Sequence, residues 1–342
     1  MYSFMNDYSE TAHPRVLQAL SGTDLNQFSG YGTDTLCREA AELIRAQCAA
    51  PEASVHFAVG GTQANLLVIH ALLRSYEAVI AADTAHVNVH ETGAIEATGH
   101  KVCAVPSPDG KLTPDLVERV VNAHASEHMV HPRLVYVSDS TEVGTVYTKA
   151  ELTALRRCCD QHGLYLFLDG ARLGSALTSP DNDLTLPDIA ALTDVFYLGG
   201  TKNGSLFGEA IVLLNEDAKP HFRWYIKQRG AMLAKGWLLG LQFRELLRDG
   251  LYFDLAHHAN EMAQNLSAGM AIKGYSFAFK PQSNQLFPIL PNQVIQDLQN
   301  KGYSFDVEQI TDEAHTRVRL VTSWATPEAA VQAFLEDLPA AR

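Results

Sequence analysis

Short apolar runs of strand length alternate with segments of helical period through the first two hundred residues, and this alternation leaves the chain few folds. The runs are Val55-His56-Phe57-Ala58-Val59, Ala78-Val79-Ile80-Ala81, residues 101–105, Leu134-Val135-Tyr136-Val137-Ser138, Leu164-Tyr165-Leu166-Phe167-Leu168 and Val195-Phe196-Tyr197-Leu198. Between them, residues 35–49, 60–73, 88–98, 113–125 and 149–162 read as helices. Strands separated by helices pair in parallel, because a parallel connection needs a crossover. The pattern predicts a mostly parallel sheet covered by helices, an α/β architecture. The first 30 residues read as irregular. Beyond residue 200 the pattern changes to a helical region with breaks from about 235 to 270, then short strands at 276–279, 285–289 and 317–322 mixed with helices. The expected division is an N-terminal segment 1–14, a large domain 15–245 and a smaller C-terminal α/β domain 246–342, with the N-terminal segment packed near the small domain.

Composition narrows the function. At 342 residues and 46% apolar content the chain can bury a sizeable core. A net charge of −13 argues against nucleic acid or an anionic membrane surface as partner, since both select basic surfaces. No apolar run approaches the length that spans a bilayer. The N-terminus lacks the basic-then-apolar pattern of a signal peptide. Five cysteines, an odd number without a Cys-x-x-Cys pair, point to a reducing, cytoplasmic setting. Adjacent Cys158 and Cys159 read as ordinary helix residues.

The chemistry concentrates at strand ends. The run 164–168 ends on Asp169, and the run 195–198 is followed by Gly199-Gly200-Thr201-Lys202-Asn203-Gly204. Two parallel strands ending together present their last residues on the sheet edge where ligands bind. An aspartate and a lysine there suit pyridoxal phosphate (PLP), which needs a lysine for a Schiff base and an acidic partner for its pyridine nitrogen. Taken singly, Asp169 could be a helix cap and Lys202 a loop lysine; the pair carries the reading. Gly60-Gly61-Thr62-Gln63 follows a strand and opens a helix, where free N–H groups and the dipole bind phosphate, or where glycine merely turns the chain. No Gly-x-Gly-x-x-Gly and no Gly-Lys-Ser/Thr occurs, which disfavours dinucleotide and P-loop readings. His86, just after a strand, could stack on a pyridine ring or be a core histidine. His86, His90 and Glu91 imitate a helical metal site but lack a third ligand, so no metal is expected. His124 and His128 read as surface residues of a polar helix. Arg317 and Arg319 share one strand face, and Arg319 could grip an α-carboxylate or form a surface ion pair.

Together these motifs resemble the threonine aldolase and β-eliminating lyase family of PLP-dependent enzymes, which have the fold type I, aspartate aminotransferase-like architecture. The resemblance spans nearly the whole chain. It rests on Phe57-Ala58-Val59-Gly60-Gly61-Thr62-Gln63-Ala64-Asn65-Leu66, Ala85-His86, Asp169-Gly170-Ala171-Arg172-Leu173, Val318-Arg319-Leu320-Val321-Thr322 and Tyr31-Gly32-Thr33-Asp34. It implies that Lys202 holds PLP, that Gly61 and Thr62 bind its phosphate, that His86 stacks on the ring and aids proton transfer, and that Asp169 pairs with the pyridine nitrogen. It further implies that Arg172 contacts the cofactor and the substrate carboxylate, and that Arg319 binds that carboxylate with Asn6 nearby. Tyr31 would reach a neighbouring subunit's site, so a homo-oligomer with shared active sites is implied; the family commonly forms tetramers of dimers. The implied reaction cleaves the Cα–Cβ bond of L-threonine, L-allo-threonine or a related β-hydroxy-α-amino acid, giving glycine and an aldehyde.

Three departures qualify the match. Glu142 stands where the family usually carries a histidine that handles the β-hydroxyl; a glutamate raised in pKa by burial could serve as base. Asn6-Asp7-Tyr8 replaces Ser-Asp-Thr. The usual phosphate-binding arginine aligns with Leu233, so Lys235, or Lys227 and Arg229, would have to supply that charge. The alternatives are a PLP lyase that eliminates a β-substituent and a non-catalytic PLP-binding protein.

Overall fold

The computed structural model describes residues 2–341. Seven strands build the main sheet: β1 (Ser54–Ala58), β2 (Glu77–Ala82), β3 (Val102–Val105), β4 (His131–Ser138), β5 (Tyr165–Asp169), β6 (Val195–Gly199) and β7 (Glu209–Leu213). Their order is β1-β7-β6-β5-β4-β2-β3. β7 runs antiparallel to both its neighbours, and the pairs from β6 through β3 are parallel. Every residue of β2, β6 and β7 is buried, as expected where helices cover both faces of a parallel sheet.

Local signals explain the helices. Thr148 and Glu151 form a capping box at the start of Lys149–His162, and Gly163 closes that helix in the left-handed region at φ 63°. Thr113 caps Pro114–Ala123 with proline in its first turn. Cys158 and Cys159 lie buried on the first of these helices. The helix over 113–125 ends at Ala123, so His124 and His128 lie beyond it; His124 is half-buried with its ring against Val120 O at 2.8 Å, whereas His128 is exposed.

Register sets the site edge. Ser138 pairs with Asp169, so β4 and β5 end together, and Phe167 pairs with Val195, so β6 runs two residues beyond them to Gly199. β5 and β6 lie so close that a Cβ on Gly170 would lie 1.8 Å from the Tyr197 carbonyl oxygen.

Four more strands form an antiparallel sheet: β8 (Gln285–Leu286), β9 (Ile289–Pro291), β10 (Asp306–Ile310) and β11 (His315–Val321). They cover a second hydrophobic cluster containing Met262, Leu266, Met270, Leu320 and Phe334. The 22-residue helix Leu251–Ile272 contributes Leu255 to the main cluster and Met262 onward to the second. Phe4 also belongs to the second cluster. Its N–H donates to Ser304 O at 2.7 Å, and its carbonyl accepts from Val321 N–H at 2.8 Å. The N-terminal residues therefore lie along the small sheet. No helix among the described residues is long and apolar enough to cross a membrane.

Several expected elements need correction. Residues 88–98 are not one helix: His86–Val89 is a single turn and Glu96–Thr98 a 3-10 turn. Thr92 at φ 53° and Gly93 at φ 72° reverse the chain between them. The first 30 residues are not all irregular, since Pro14–Ser21 is helical. The expected strand at 276–279 is one bridge, Phe277 to Pro288. The strand at 285–289 is two short strands separated by Phe287 and Pro288. β7 and β10 were not anticipated.

Candidate active site

Asp169 closes β5 and is 3% exposed. The flanking strands aim tyrosines at it. Tyr136 of β4 donates its hydroxyl to Oδ2 at 2.5 Å, and Tyr197 of β6 donates to Oδ1 at 2.5 Å. Asn65 Nδ2 donates to Oδ2 at 3.0 Å, and Ala171 N–H to Oδ1 at 3.0 Å. Burial alone would raise this carboxyl's pKa, but the four donors hold it below the ordinary aspartate value. Asp169 is an anion fixed on the sheet edge, suited to hold a protonated ring nitrogen.

Lys202 follows β6 on the same edge and lines the same cavity as Asp169, a space of about 300 Å³. It makes no hydrogen bond or ion pair with any described residue. Burial and the nearby Arg172 charge pull its amine below the ordinary lysine pKa, against the opposing charges of Asp7, Glu142 and Asp169. A free amine with a lowered pKa is the condition a nucleophilic lysine requires. Glu209 of β7 also lines the cavity. Its Oε1 accepts from Thr201 Oγ1 at 2.9 Å and its Oε2 from Gly200 N–H at 3.2 Å. Burial pushes its pKa up to about 8, even with these bonds and the Lys202 charge.

His86 and Glu142 line the same cavity. His86 opens the short turn after β2, with Nδ1 2.8 Å from Glu91 Oε1. Burial lowers its pKa, but the Glu91 bond and the charges of Glu142, Asp169 and Glu91 raise it further than burial lowers it. Glu142 makes no hydrogen bond to a described residue. Its loop is braced by Thr141 Oγ1 and Thr145 Oγ1 at 2.7 Å, and by Gln285 Nε2 donating to Thr141 O at 3.2 Å. Below them, the helix Gly61–Leu72 begins at Gly60 with no side-chain cap, so its first N–H groups face the cavity where Gly60, Gly61 and Thr62 line it. The Thr62 hydroxyl has no partner among the described residues. A Cβ on Gly61 would meet the Tyr197 hydroxyl at 2.9 Å, so glycine here protects the Asp169 network.

Arg172 is held from behind. Its Nε donates to Asp7 Oδ2 at 2.7 Å and Nη2 to Asp7 Oδ1 at 3.0 Å. Asn284 Nδ2 adds 2.9 Å to the same carboxylate. Burial opposes the ionisation of Asp7, but Arg172 and Lys202 hold its pKa below the ordinary value. Asn6 instead folds its side chain locally, accepting from Tyr8 N–H at 3.0 Å and Ser9 Oγ at 2.9 Å.

The remaining sequence candidates lie apart within this chain. Arg319 pairs with Asp306 across β10 and β11 and does not line the Lys202 cavity; its buried Nε has no partner. Lys235 is exposed. Tyr31 is 48% exposed at φ 62°, with Lys227 Nζ 5.2 Å over its ring. Tyr136, Tyr197, Glu91, Asp7, Asn284 and Glu209 carry roles the sequence reading had not assigned. The signal was present for the tyrosines, which are polar-tipped residues inside otherwise apolar strand runs.

The family described as beta-eliminating lyase matches residues 11–291. This chain belongs to that family. Its relatives within the family include a low specificity L-threonine aldolase of Pseudomonas sp. (strain NCIMB 10558), 34% identical over 343 residues, covering 98% of this chain and 97% of the relative. A second, from Pseudomonas aeruginosa, is 32% identical over 338 residues, covering 98% and 96%. A solved structure described as Leishmania major threonine aldolase superposes with TM-score 0.98 at 52% identity, over 99% of this chain and 98% of that one. An aspartate aminotransferase from Thermus thermophilus shares the fold, with TM-score 0.73 at 18% identity, over 98% and 90%. The beta-eliminating lyase member described here is thus an enzyme of the aspartate aminotransferase-like fold.

Proposed function

We propose that this enzyme cleaves L-threonine, L-allo-threonine or a related β-hydroxy-α-amino acid to glycine and an aldehyde, with PLP attached at Lys202. The observation that carries the reading is the pairing, in one cavity, of an unpartnered Lys202 with a four-donor Asp169 anion, beside an uncapped helix start. The residues fit PLP. Lys202 would hold it covalently, Asp169 its ring nitrogen, His86 one ring face, and Gly61, Thr62 and their N–H groups its phosphate. Once bound, PLP supplies an electron sink for the pair released at Cα.

This chain's own groups account for the rest. Arg172, aimed by Asp7, would take the substrate carboxylate bidentately; for Arg319 and Asn6 to join it, the Arg319–Asp306 pair and the local Asn6 bonds would have to open as substrate enters. Glu142 would accept the β-hydroxyl proton as the Cα–Cβ bond breaks. His86 would hold or return a proton near Cα. The enzyme would work as a cytoplasmic homo-oligomer, a dimer or a tetramer of dimers. Tyr31 and Lys235, exposed here, would reach the neighbouring subunit's site, where Lys235 would supply phosphate charge. All five cysteines are free and buried, which supports a reducing setting.

The test is to assay the purified enzyme on threonine, allo-threonine, β-phenylserine, serine and cysteine, scoring glycine against pyruvate. Glycine with aldehyde is expected, and Glu142→Gln should lower kcat by about 10²–10⁴-fold with KM little changed. Pyruvate without glycine would assign β-elimination instead.

A further inference from the structure

Glu91 does not line the cavity, yet it joins two groups that do. The chain leaves the turn His86–Val89 at His90 (φ −123°), and the Glu91 side chain returns to the His86 ring. Its side chain is fully buried. One oxygen, Oε1, accepts from Asn65 Nδ2 at 2.7 Å and lies 2.8 Å from His86 Nδ1. Asn65, itself 0% exposed, gives the same amide nitrogen to Asp169 Oδ2 at 3.0 Å. The two hydrogens of one amide thus bridge two buried carboxylates. Glu91 Oε2 is buried with no partner among the described residues, and of those residues the His86 imidazole is the basic group that touches this carboxylate.

We infer that Glu91 is a positioning residue: it keeps a proton on His86 Nδ1, leaves Nε2 as the nitrogen that gains and loses a proton toward the cavity, and through Asn65 ties the charge state of His86 to that of Asp169. The chemistry demands this order, because a carboxylate oxygen only accepts, so Nδ1 must donate. The titratable groups facing His86 are Glu91 from its own loop, Glu142 from the loop after β4, Asp169 from β5 and Lys202 after β6, with the His90 ring at 5.5 Å. The three carboxylates favour the charged imidazole, and of these only Glu91 touches it.

This inference rests on the assignment of His86 to the reaction, so the experiment separates the two. Holoenzymes of the wild type, Glu91→Gln, His86→Phe and the double variant are compared for visible absorption before and after borohydride, for kcat and KM, and for the pH profile of kcat. Glu91→Gln should keep the absorption, lose kcat by about 10–100-fold, hold KM within about twofold, and move the His86-dependent pH midpoint downward. On the His86→Phe background it should cost less than about twofold further, because residues acting through one another are non-additive. Glu91→Asp keeps the charge and should restore the midpoint. If Glu91→Gln fails to fold, Glu91→Asp serves in the same cycle, with a smaller loss that also vanishes without His86. An equal loss on both backgrounds, or an unmoved midpoint, overturns the proposal. A wild type lacking a borohydride-sensitive band overturns the cofactor reading instead.

Discussion

Replacing Asp7 by alanine tests how much of the site depends on one buried ion pair. Asp7 is 1% and the Arg172 side chain 7% exposed, and the pair is bidentate. Alanine removes the acceptor of three hydrogen bonds and leaves a guanidinium in a dry pocket. Breaking a buried pair by deleting one partner costs about 3–5 kcal/mol. Asn284 softens the loss slightly, since its amide keeps a bond to Thr322 O at 2.8 Å. For a chain of this length each kcal/mol moves the Tm by about 1–2 °C, so the expected drop is about 3–10 °C. Thermal unfolding would be followed by circular dichroism at fixed protein and cofactor concentration. The companion is Asp7→Leu with Arg172→Met, which swaps both charges for apolar volume. Together these should cost at least about 1 kcal/mol less than the sum of the singles. KM should rise in Asp7→Ala, because Arg172 loses the contact that aims it. A drop under about 2 °C, or strict additivity, would refute the argument.

Three further outcomes are expected. Burial and then the Arg223 charge depress the His56 pKa from 6.5 to about 4. Its contribution is therefore fully present above pH 6.5 and is lost as pH falls toward 4. His13, His70 and His100 are depressed too and act in the same direction, whereas Glu209, raised from 4.5 to about 8, acts in the opposite one; the test is therefore the difference, and His56→Gln should remove at most one proton's slope from the pH dependence of the urea midpoint between pH 6.5 and 4. Gly170→Ala should abolish soluble expression, because its Cβ would meet a backbone oxygen at 1.8 Å that has nowhere to move. Gly60→Ala, with nothing within 4 Å and an extended φ of −176°, should express and melt like the wild type.

The sheet could be read from the sequence because each parallel strand is a short apolar run and each crossover helix carries its own start and stop signals. Thr148, Glu151 and Gly163 bracket one helix so fully that its limits, 149–162, agree with the structure. Asp169 and Lys202 were visible for the same reason, as polar residues at the ends of apolar strands. What escaped lies in long-range pairing. Nothing in the composition around Asp7 announces Arg172, 165 positions away. Glu91 resembled part of a helical metal pair because residues 88–98 have helical composition, but the period breaks at His90 (φ −123°, ψ 11°) and again at the left-handed Thr92 and Gly93. β7 could have been found, since Glu209-Ala210-Ile211-Val212-Leu213 is an apolar run behind a single carboxylate.

The anchoring of residues 2–7 on the small sheet also has a temporal meaning. Asp7 leaves the ribosome before either partner, and Asn284, the second of them, follows 277 positions later. Val321, whose N–H takes the Phe4 carbonyl, comes later still. At about 5–20 residues per second, roughly 15–55 s of synthesis separate Asp7 from that partner. During that interval the main sheet can already assemble, while Arg172 lacks the contact that orients it. Catalytic competence should therefore wait until Val321 has emerged, and the site should not tolerate loss of residues 4–7 or of the strand that carries Val321.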